Sequence, residues 1–588
     1  MMTRILIQTI FFYLASSQGN SEVNPLLQQD QALCGPAVRI RFSPIGLSYI
    51  SNTFSDALLK EIVYTSFPFK TKTVQMSRSS VQVSSLSLMS VSLSTLQPIV
   101  VPLPPNTIKA IVPGVSMTII GSSSGRLSDG IFSTPLLLNA TDVQLTVQIT
   151  INSDSIGNPI LKVKSCDIPN GFPMVVSYNR TLGMNSRKEL VSASSHDAVS
   201  IFRDVVCPRV QYLIENRINE RFALLPPKMS LADNSNADLI KLINDAEKLR
   251  QRRISGVREE TKRGKRQVPK SAGLLKHFDL TRADNLFLDY AMTQPPNTNQ
   301  NGLDIFSSGE ISTLGGKTPF GSRALPLFPT NNHTTMMQIA LSDFVPNSLM
   351  YHGHKSVSLF SFLLLIVSLI RTGLFNTRVD PSTPHFGPMM RSTCDLSTGS
   401  LFCIGDIFPT LRSALPNRGI AFIFSTIQAP ALIVRPESAG GIFFQLTGMM
   451  EVRAIEANRP EMIAGKMTLD ISGSMKMRMT SKVVKGKITL DQILMKTLTP
   501  EILSQEELDD AGFLSHEIVQ RMVNDILRDG IPIPVHPLFK LRSPKLTLHD
   551  RSFEISTDFV LNSKLIRQLT SQDLNEVIKK TVANQRVV

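Results

Sequence analysis

The sequence predicts an α+β fold with two similar halves, in each of which helices lie on a long, twisted antiparallel sheet. Apolar residues recur every three or four positions from Leu47 to Ile62, which is typical of a helix with one buried face. Apolar and polar residues alternate strictly from Val143 to Ile151, which indicates a strand with one buried and one wet face. Helical and alternating patterns both return after a basic segment in the middle of the chain.

The composition excludes several classes of protein. The chain has 588 residues, of which 42% are hydrophobic and 18% charged, so it is long enough for several domains and too apolar to be disordered. Collagen, a coiled coil and a small disulfide knot are excluded. The net charge is +14, but half of that excess lies between Ala246 and Lys270. We therefore interpret the charge as a feature of a linker and expect no nucleic-acid partner.

The first 17 residues are typical of a secretory signal peptide. Arg4 supplies a positive charge, an apolar run follows, and Ala15 and Ser17 are small residues before the expected cleavage site. The alternative is a buried first strand. A signal peptide predicts a secreted, extracellular protein, in which N-x-S/T sequons are glycosylation sites. The asparagines of three such sequons are Asn139, Asn179 and Asn332.

The cysteines are expected to pair, because disulfides are the rule in an oxidising compartment. The local choices are Cys166 with Cys207 and Cys394 with Cys403, which leaves Cys34 without a partner. No C-x-x-C motif occurs, and the only close pair of histidines has no neighbouring Cys, Asp or Glu at ligand spacing. We expect no metal and no cofactor.

Three helices carry apolar stripes that could line a binding slot. The first begins at Ser43 as N-cap with Pro44 at the first helical position. The second is predicted from about His196 to Leu224, and a bond from Cys207 on it to Cys166 would clamp helix to sheet. The third is predicted from Glu517 to Leu527. Such a helix on a sheet can leave a slot or pack into a solid core, and the periodicity does not distinguish the two.

One pentapeptide matches a catalytic motif. Gly121-Ser-Ser-Ser-Gly125 fits the G-x-S-x-G pattern of serine hydrolases, in which the serine stands on a turn between a strand and a helix. A strand before it is plausible, but no helical stripe follows. We predict that the protein is not an enzyme. The alternatives to a binding protein are a secreted serine hydrolase, or a non-lipid structural or interaction protein.

The chain resembles the family of bactericidal/permeability-increasing protein, lipopolysaccharide-binding protein and the plasma lipid-transfer proteins. The residues that carry this resemblance are Gly35 to Arg41 (GPAVRIR), Gly46 to Tyr49, Cys166 and Cys207, His333 to Ser348, Pro430 to Pro436, and Asp529 to Pro534. The resemblance implies a boomerang of two barrel-like domains, each with an apolar slot for phospholipid acyl chains, joined by a central sheet. It also implies the Cys166–Cys207 disulfide.

The resemblance implies particular slot residues and partners. The N-terminal slot would use Leu47, Ile50, Phe54, Leu58, Phe202, Val206 and Val210, and the C-terminal slot would use Ile518, Met522 and Ile526. The partners would be a phospholipid or related lipid, a membrane surface transiently, and in some members bacterial lipopolysaccharide. The stretch that matches the basic lipopolysaccharide-binding tip, Gly121 to Ser133, has a single basic residue, Arg126, which disfavours endotoxin. The predicted function is a secreted lipid carrier or an innate-immune sensor of bacterial lipid.

The expected domains follow from these patterns. They are a signal peptide (1–17), an N-terminal lipid-binding domain (34–227), a basic linker (228–272), a central sheet with a C-terminal lipid-binding domain (273–560) and a helical tail (561–588). The apolar run from Val357 to Ile370 fits none of them and is too short to span a membrane as a helix. We interpret it as an insertion; a buried strand or a membrane-surface segment are the alternatives.

Overall fold

The computed structural model describes most of the chain. The described residues are 23–31, 33–65, 71–75, 80–94, 97–127, 130–169, 174–178, 183–223, 227–231, 285–328, 334–355, 377–383, 387–394, 403–456, 459–481, 483–512, 531–532 and 538–563, with residues 516, 520, 524 and 566. The predicted signal peptide, most of the predicted linker, the run from Val357 to Ile370 and nearly all of the predicted tail lie outside them.

The described elements of the first half begin with a 3₁₀-helix and end with a short strand. They are the 3₁₀-helix Pro25–Asp30, β1 (Val38–Phe42), α1 (Pro44–Tyr64), β2 (Lys72–Gln75), β3 (Ser80–Leu93), β4 (Ile99–Leu103), β5 (Thr107–Leu127), β6 (Gly130–Ser153), β7 (Pro159–Asp167), β8 (Met174–Tyr178), α2 (Met184–Tyr212), a π-helical turn (Leu213–Ile218), α3 (Asn219–Ala223) and β9 (Lys228–Ser230).

The described elements of the second half begin with β10 and end with β23. They are β10 (Leu286–Asp289), β11 (Asn297–Asn299), β12 (Gly302–Ser307), β13 (Ile311–Thr313), β14 (Met337–Ser342), α4 (Phe344–Lys355), β15 (Thr377–Val379), a 3₁₀-helix (Gly387–Met389), α5 (Ile404–Ile407), α6 (Pro409–Ala414), β16 (Gly419–Thr426), β17 (Ala431–Val434), a 3₁₀-helix (Glu437–Ala439), β18 (Ile442–Ile455), β19 (Met462–Met479), β20 (Val483–Thr497), α7 (505–512), β21 (Ile531–Pro532), β22 (Phe539–His549) and β23 (Ser552–Leu561).

Two large antiparallel sheets flank a central one, which confirms the predicted fold class. The N-terminal sheet has the order β2-β3-β5-β6-β7, with β4 on β5 and β8 on β6. The C-terminal sheet has the order β15-β16-β18-β19-β20-β21, with β17 on β18. The central sheet has the order β11-β12-β1-β14-β23-β22. A small sheet, β13-β10-β9, contains Lys228–Ser230, the first residues of the expected linker.

The first helix begins where the sequence predicts. The Ser43 hydroxyl accepts a hydrogen bond from the Gly46 amide at 3.2 Å, and Pro44 occupies the first turn. A Cβ on Gly46 would lie 2.2 Å from the Met336 carbonyl oxygen, so only glycine allows α1 to start this close to β14. The second helix begins at Met184, before the start that the sequence predicts near His196. The sequence analysis missed the first turns because they are polar and Ser-rich and carry no apolar stripe.

Matching side chains bind the backbone along the edge of one strand in each large sheet. In the N-terminal half, the Asn219 amide accepts from the Leu161 amide and donates to the Leu161 carbonyl, both at 2.8 Å. One turn earlier, the Glu215 carboxylate accepts from the Val163 amide at 2.9 Å. These side chains therefore satisfy β7 backbone groups that no further strand covers.

The C-terminal half repeats this arrangement on β20. The Asn524 amide accepts from the Ile488 amide at 2.7 Å and donates to its carbonyl at 2.9 Å. Gln520, one turn earlier, accepts from the Leu490 amide at 2.9 Å, and the His516 ring donates to the Leu490 carbonyl. In both halves, side chains four residues apart bind alternate residues of one strand. This correspondence supports two halves of similar architecture, independently of the strand order.

The central sheet joins chain segments that are about 300 residues apart. Strand β1 lies between β12 and β14, with Ile40 opposite Ile305 and Ile339. Arg39 and Arg41 both bind the fully buried Asp304, with nitrogen–oxygen distances of 2.6 Å from each arginine. Because a buried carboxylate without its cations would be strongly destabilising, this contact fixes β1 in the sheet.

A second buried ionic group lies at the other end of the sheet. Arg551 binds Asp343 at 2.5 Å and Asp30 at 2.6 Å, and Arg323 also binds Asp30 at 2.7 Å. Asp343 shares its cation with a second carboxylate. Burial raises the pKa of Asp343 to about 6, against the stabilising contacts from Arg551. The group connects the N-terminal segment, α4 and β23, which are distant in sequence.

The Cys166–Cys207 disulfide is formed, with the two Cα atoms 5.7 Å apart, and connects β7 to α2. The Cys394–Cys403 disulfide is also formed, and Cys34 is a free, exposed thiol.

We expect Cys207→Ser to lower the free energy of unfolding by roughly 3–4 kcal/mol, because the Cys166–Cys207 bond closes a loop of 41 residues. Urea unfolding of the secreted protein tests this. Mass mapping that finds Cys166 as a free thiol in the wild-type protein would contradict it.

The buried carboxyl of Asp343 predicts a pH-dependent stability. Its raised pKa means that the folded protein holds a proton that the unfolded chain has released, so this contribution is largest below about pH 4 and is lost as the pH rises through 6. We expect the difference in urea midpoint between wild type and Asp343→Asn to shift in favour of wild type when the pH falls from about 6.5 to about 4.5. A difference that is constant over this range would sink the assignment.

Candidate functional site

The seven residues predicted for the N-terminal slot divide among three apolar clusters. Leu58, Phe202, Val206 and Val210 lie in the core between the N-terminal sheet and α2. Leu47 lies in a separate cluster beneath β4 and β12. Ile50 and Phe54 lie in a third cluster, with strands of the central sheet. The structure therefore brings only four of the seven together.

Those four residues pack into a dense core. Phe202 is 0% exposed and Val206 2%, and they are surrounded by fully buried side chains of β3, β5 and β6 such as Ile119 and Leu138. Side chains buried to this degree are in close contact on all sides. This region supports the helix on the sheet, and it fits the solid-core alternative of the sequence analysis better than an open slot.

The third cluster, which we call the junction cluster, has a different character. Its five buried members are Met337, Leu541, Phe559, Leu561 and Ile566, and its ten partly buried members are Ile40, Phe42, Tyr49, Ile50, Phe54, Met336, Ile339, Met479, Leu538 and Phe539. It thus combines α1, the central sheet and the end of β19. Apolar side chains that stay partly buried on several elements at once can form a binding surface.

Aromatic rings hold the junction cluster together. The ring of Phe559 meets those of Phe539, Tyr49 and Phe42 edge-on, with centroids 5.3, 5.7 and 6.1 Å apart. The Tyr49 hydroxyl accepts a hydrogen bond from the Leu561 amide at 3.3 Å, which ties α1 to β23. Ile50 and Phe54 follow Tyr49 on the same helix. Apart from the Tyr49 hydroxyl and the methionine sulfurs, the side chains of the cluster are hydrocarbon, so its surface is apolar.

The C-terminal slot residues predicted from the sequence, Ile518, Met522 and Ile526, lie outside the described residues. The structure instead shows a C-terminal core that the sequence analysis missed, in which α5, α6 and α7 cover β16, β18 and β19. Its buried members include Phe408, Leu411, Leu503 and Leu508. A usable signal was present in the sequence, because Ser504 and Glu507 have the spacing of a helix-capping pair, and Ser504 does cap Glu507.

The G-x-S-x-G pentapeptide does not form a nucleophile elbow. Residues Gly121 to Gly125 run extended inside β5, with Ser124 opposite Gln82 on β3 and Ser133 on β6. The chain continues as strand to Leu127 and pairs directly with β6. The turn into a helix that the hydrolase alternative requires is therefore replaced by a β-ladder.

Several other predicted features have a clear position. Asn139 lies within β6, opposite Thr118 and Val175, and Asn179 and Asn332 lie outside the described residues. A group with metal-ligand spacing in the described part of the chain is Cys394, Cys403 and Asp406, but its two cysteines form a disulfide. No helix among the described residues is long and apolar enough to cross a membrane.

An open polar cleft of about 550 Å³ lies on the outer face of the N-terminal sheet. Its lining residues are Lys109, Gln144, Thr146, Gln148, Ser165, Cys166, Asp167, Pro169 and Arg203. Arg203 is already paired with Asp167 at 2.8 Å. The cleft lies beside the Cys166–Cys207 disulfide and is far more polar than the junction cluster.

Comparison with protein families finds a match, which lies in the second half of the chain. Residues 281–561 match the C-terminal domain of the LBP / BPI / CETP family. This match covers just under half of the chain, and it confirms the resemblance to the family that the sequence motifs indicate. Members of the family bind lipids, which supports a lipid-binding function. No curated protein matches the sequence.

Solved structures with some likeness share little sequence with the chain. Lipopolysaccharide binding protein has 14% identity and a TM-score of 0.46, over 90% of this chain and 100% of that one. P47 of Clostridium botulinum E1 has 8% identity and a TM-score of 0.25, over 90% and 99%. Takeout 1 of Epiphyas postvittana has 10% identity and a TM-score of 0.22, over 28% and 91%.

The position of Ser124 in a strand predicts that it has no catalytic role. We expect Ser124→Ala to leave the melting temperature within about 2 °C of wild type, because a half-exposed strand serine contributes little to stability. We also expect both proteins to hydrolyse a short-chain nitrophenyl ester at the same background rate. Esterase activity in the wild type that disappears in Ser124→Ala would restore the hydrolase alternative.

Proposed function

We propose that this chain is a secreted lipid-binding protein that holds phospholipid-like acyl chains at the junction cluster. The observation that carries the proposal is that Ile50 and Phe54 on α1 are only partly buried and share one cluster with Phe539 of β22 and Phe559 of β23. Elsewhere on these helices, Leu58 is partly buried against the N-terminal core, and Phe202 and Val206 are enclosed in it. A hydrocarbon ligand at this cluster would remove apolar surface from water, at about 25 cal/mol per Å² buried.

The proposed slot differs from the one implied by resemblance. Ile50 and Phe54 remain as lining residues, joined by Phe539 and Met479 from the second half. Leu58, Phe202, Val206 and Val210 become supporting core. Because α1, the central sheet and β19 all contribute, the slot would exist only when both halves of the chain are folded.

At the hairpin of β5 and β6, a carrier role fits better than a sensor of bacterial lipopolysaccharide. The hairpin end of β5 and β6 has Arg126 as its one basic residue, and beside it Ile131 is 88% exposed. A multiply phosphorylated ligand needs several cations to pair with its phosphates. The proposed ligand is therefore a phospholipid with two acyl chains, and secretion accords with the two disulfides.

A charge placed in the slot tests the proposal. We expect Ile50→Asp to lose most of the phospholipid that co-purifies with the wild-type protein, because an unpaired carboxylate against hydrocarbon is strongly unfavourable. Native mass spectrometry of the secreted proteins measures the bound lipid. The lipid identified by this measurement also names the class of headgroup.

The matched control is Ile45→Asp on the same helix. Ile45 lies in the first turn of α1 and is 48% exposed, so the same substitution adds a charge without reaching the cluster. Ile45→Asp should retain wild-type lipid content. Equal lipid in all three proteins, or a wild-type protein that carries none, would reject the junction cluster as a lipid slot.

A further inference from the structure

The hairpin of β19 and β20 carries an unusual array of positive charge. Lys476 stands directly opposite Lys487, and Arg478 directly opposite Lys485, and all four side chains are exposed. Residues directly opposite on antiparallel strands have Cβ atoms about 5 Å apart and point to the same face. The four cations therefore form a square on the outer face of the sheet, which we call the cationic square.

Nothing in the described residues neutralises the cationic square. None of its members has a carboxylate within 4.0 Å there, whereas Arg453, Lys466 and Arg378 elsewhere in the same sheet all have one. From Ser472 to Leu490 the sequence has five basic residues and no acidic one. Like charges directly opposite one another destabilise a strand pair. Two such pairs side by side thus indicate a face suited to an external anion.

The opposite face of the same hairpin leads to the junction cluster. Met475, Met477 and Met479 alternate with the cations and point inward, where Met475 and Met477 pack against a buried cluster that includes Ile442 and Leu548. Met479 is a member of the junction cluster, together with Ile50 and Phe54. One strand thus places positive charge on its outer face and apolar contacts for the proposed slot on its inner face.

We propose that the cationic square is a docking surface for an anionic phospholipid membrane, a role that rests on the proposed lipid-binding function. Adjacent cations along each strand are about 7 Å apart, since a strand rises about 3.4 Å per residue, so the square spans neighbouring headgroups. The four side chains stand on a paired hairpin rather than on a loop. Docking there brings the junction cluster to the membrane from which a lipid is taken.

Vesicle binding by the full-length protein tests the docking surface. The probe is sedimentation with vesicles of phosphatidylcholine containing about 30% phosphatidylserine, compared with phosphatidylcholine alone. Each basic residue near such a surface changes the partition coefficient by about five-fold. Lys476→Gln with Lys487→Gln should weaken binding to the anionic vesicles by about 25-fold, and binding to phosphatidylcholine alone should not change.

The matched control is Lys162→Gln with Lys164→Gln, which removes two exposed lysines from β7 in the other half. It lowers the net charge equally and should change vesicle binding by less than about two-fold. The melting temperature of the Lys476/Lys487 variant should be equal to or above that of wild type, because a like-charge pair is relieved. Equal loss in both double variants would show that net charge alone drives binding, and would overturn the proposal.

Two further measurements separate this proposal from the proposed function. Lipid content by native mass spectrometry should stay at the wild-type level in the Lys476/Lys487 variant, whereas Ile50→Asp should lose lipid yet still bind anionic vesicles. If the wild-type protein carries no lipid but its vesicle binding still depends on the cationic square, the lipid slot is rejected and the docking surface is retained. If the double variant loses affinity for a sulfated polysaccharide column while its vesicle binding is unchanged, the partner is a glycan and the membrane proposal is wrong.

Discussion

The architecture depends on one strand, β1, which lies between two strands of the second half of the chain. Its two arginines both bind Asp304, and the Phe328 ring lies 4.8 and 5.0 Å from the two guanidinium carbons. This contact buries charge that neither half could satisfy alone. Because α1 begins directly after β1, the same contact fixes the position of the first helix over the central sheet. The junction cluster exists as a consequence of that position.

The two large sheets are built alike, and the resemblance extends to how their outer edges end. Exposed strand edges invite pairing with other chains. Here Glu215 and Asn219 cover β7, and Gln520 and Asn524 cover β20, through the same backbone groups on alternate residues. Apart from the two-residue pairing of β20 with β21, side chains rather than a described strand cover these edges. In the first half, these side chains also hold the helix that follows α2 against the sheet.

The proposed slot and the proposed docking surface are two faces of one arrangement. The alternation of methionine and cation along the end of β19 is a period-two pattern, which sends successive side chains to opposite faces of a strand. On the inner face, flexible methionines adapt to apolar neighbours of irregular shape. On the outer face, no carboxylate of the described residues lies within 4.0 Å of the four cations. In this proposal, a lipid headgroup contacts the outer face of the hairpin and an acyl chain contacts the inner face, and the thickness of a single sheet separates the two.

The sequence by itself determined the elements and the class of fold. The Ser43 cap, the stripe of α1 and the alternation of β6 are local in sequence, and local spacing sets them through helical and strand periodicity. Whether an apolar residue becomes core or slot was decided only by the tertiary structure. Phe202 and Ile50 have equivalent places in their stripes, yet one is fully enclosed and the other half-exposed, because their surroundings come from strands distant in sequence. Long-range packing also brought Lys476 opposite Lys487, since strand register depends on the partner strand and not on either lysine alone.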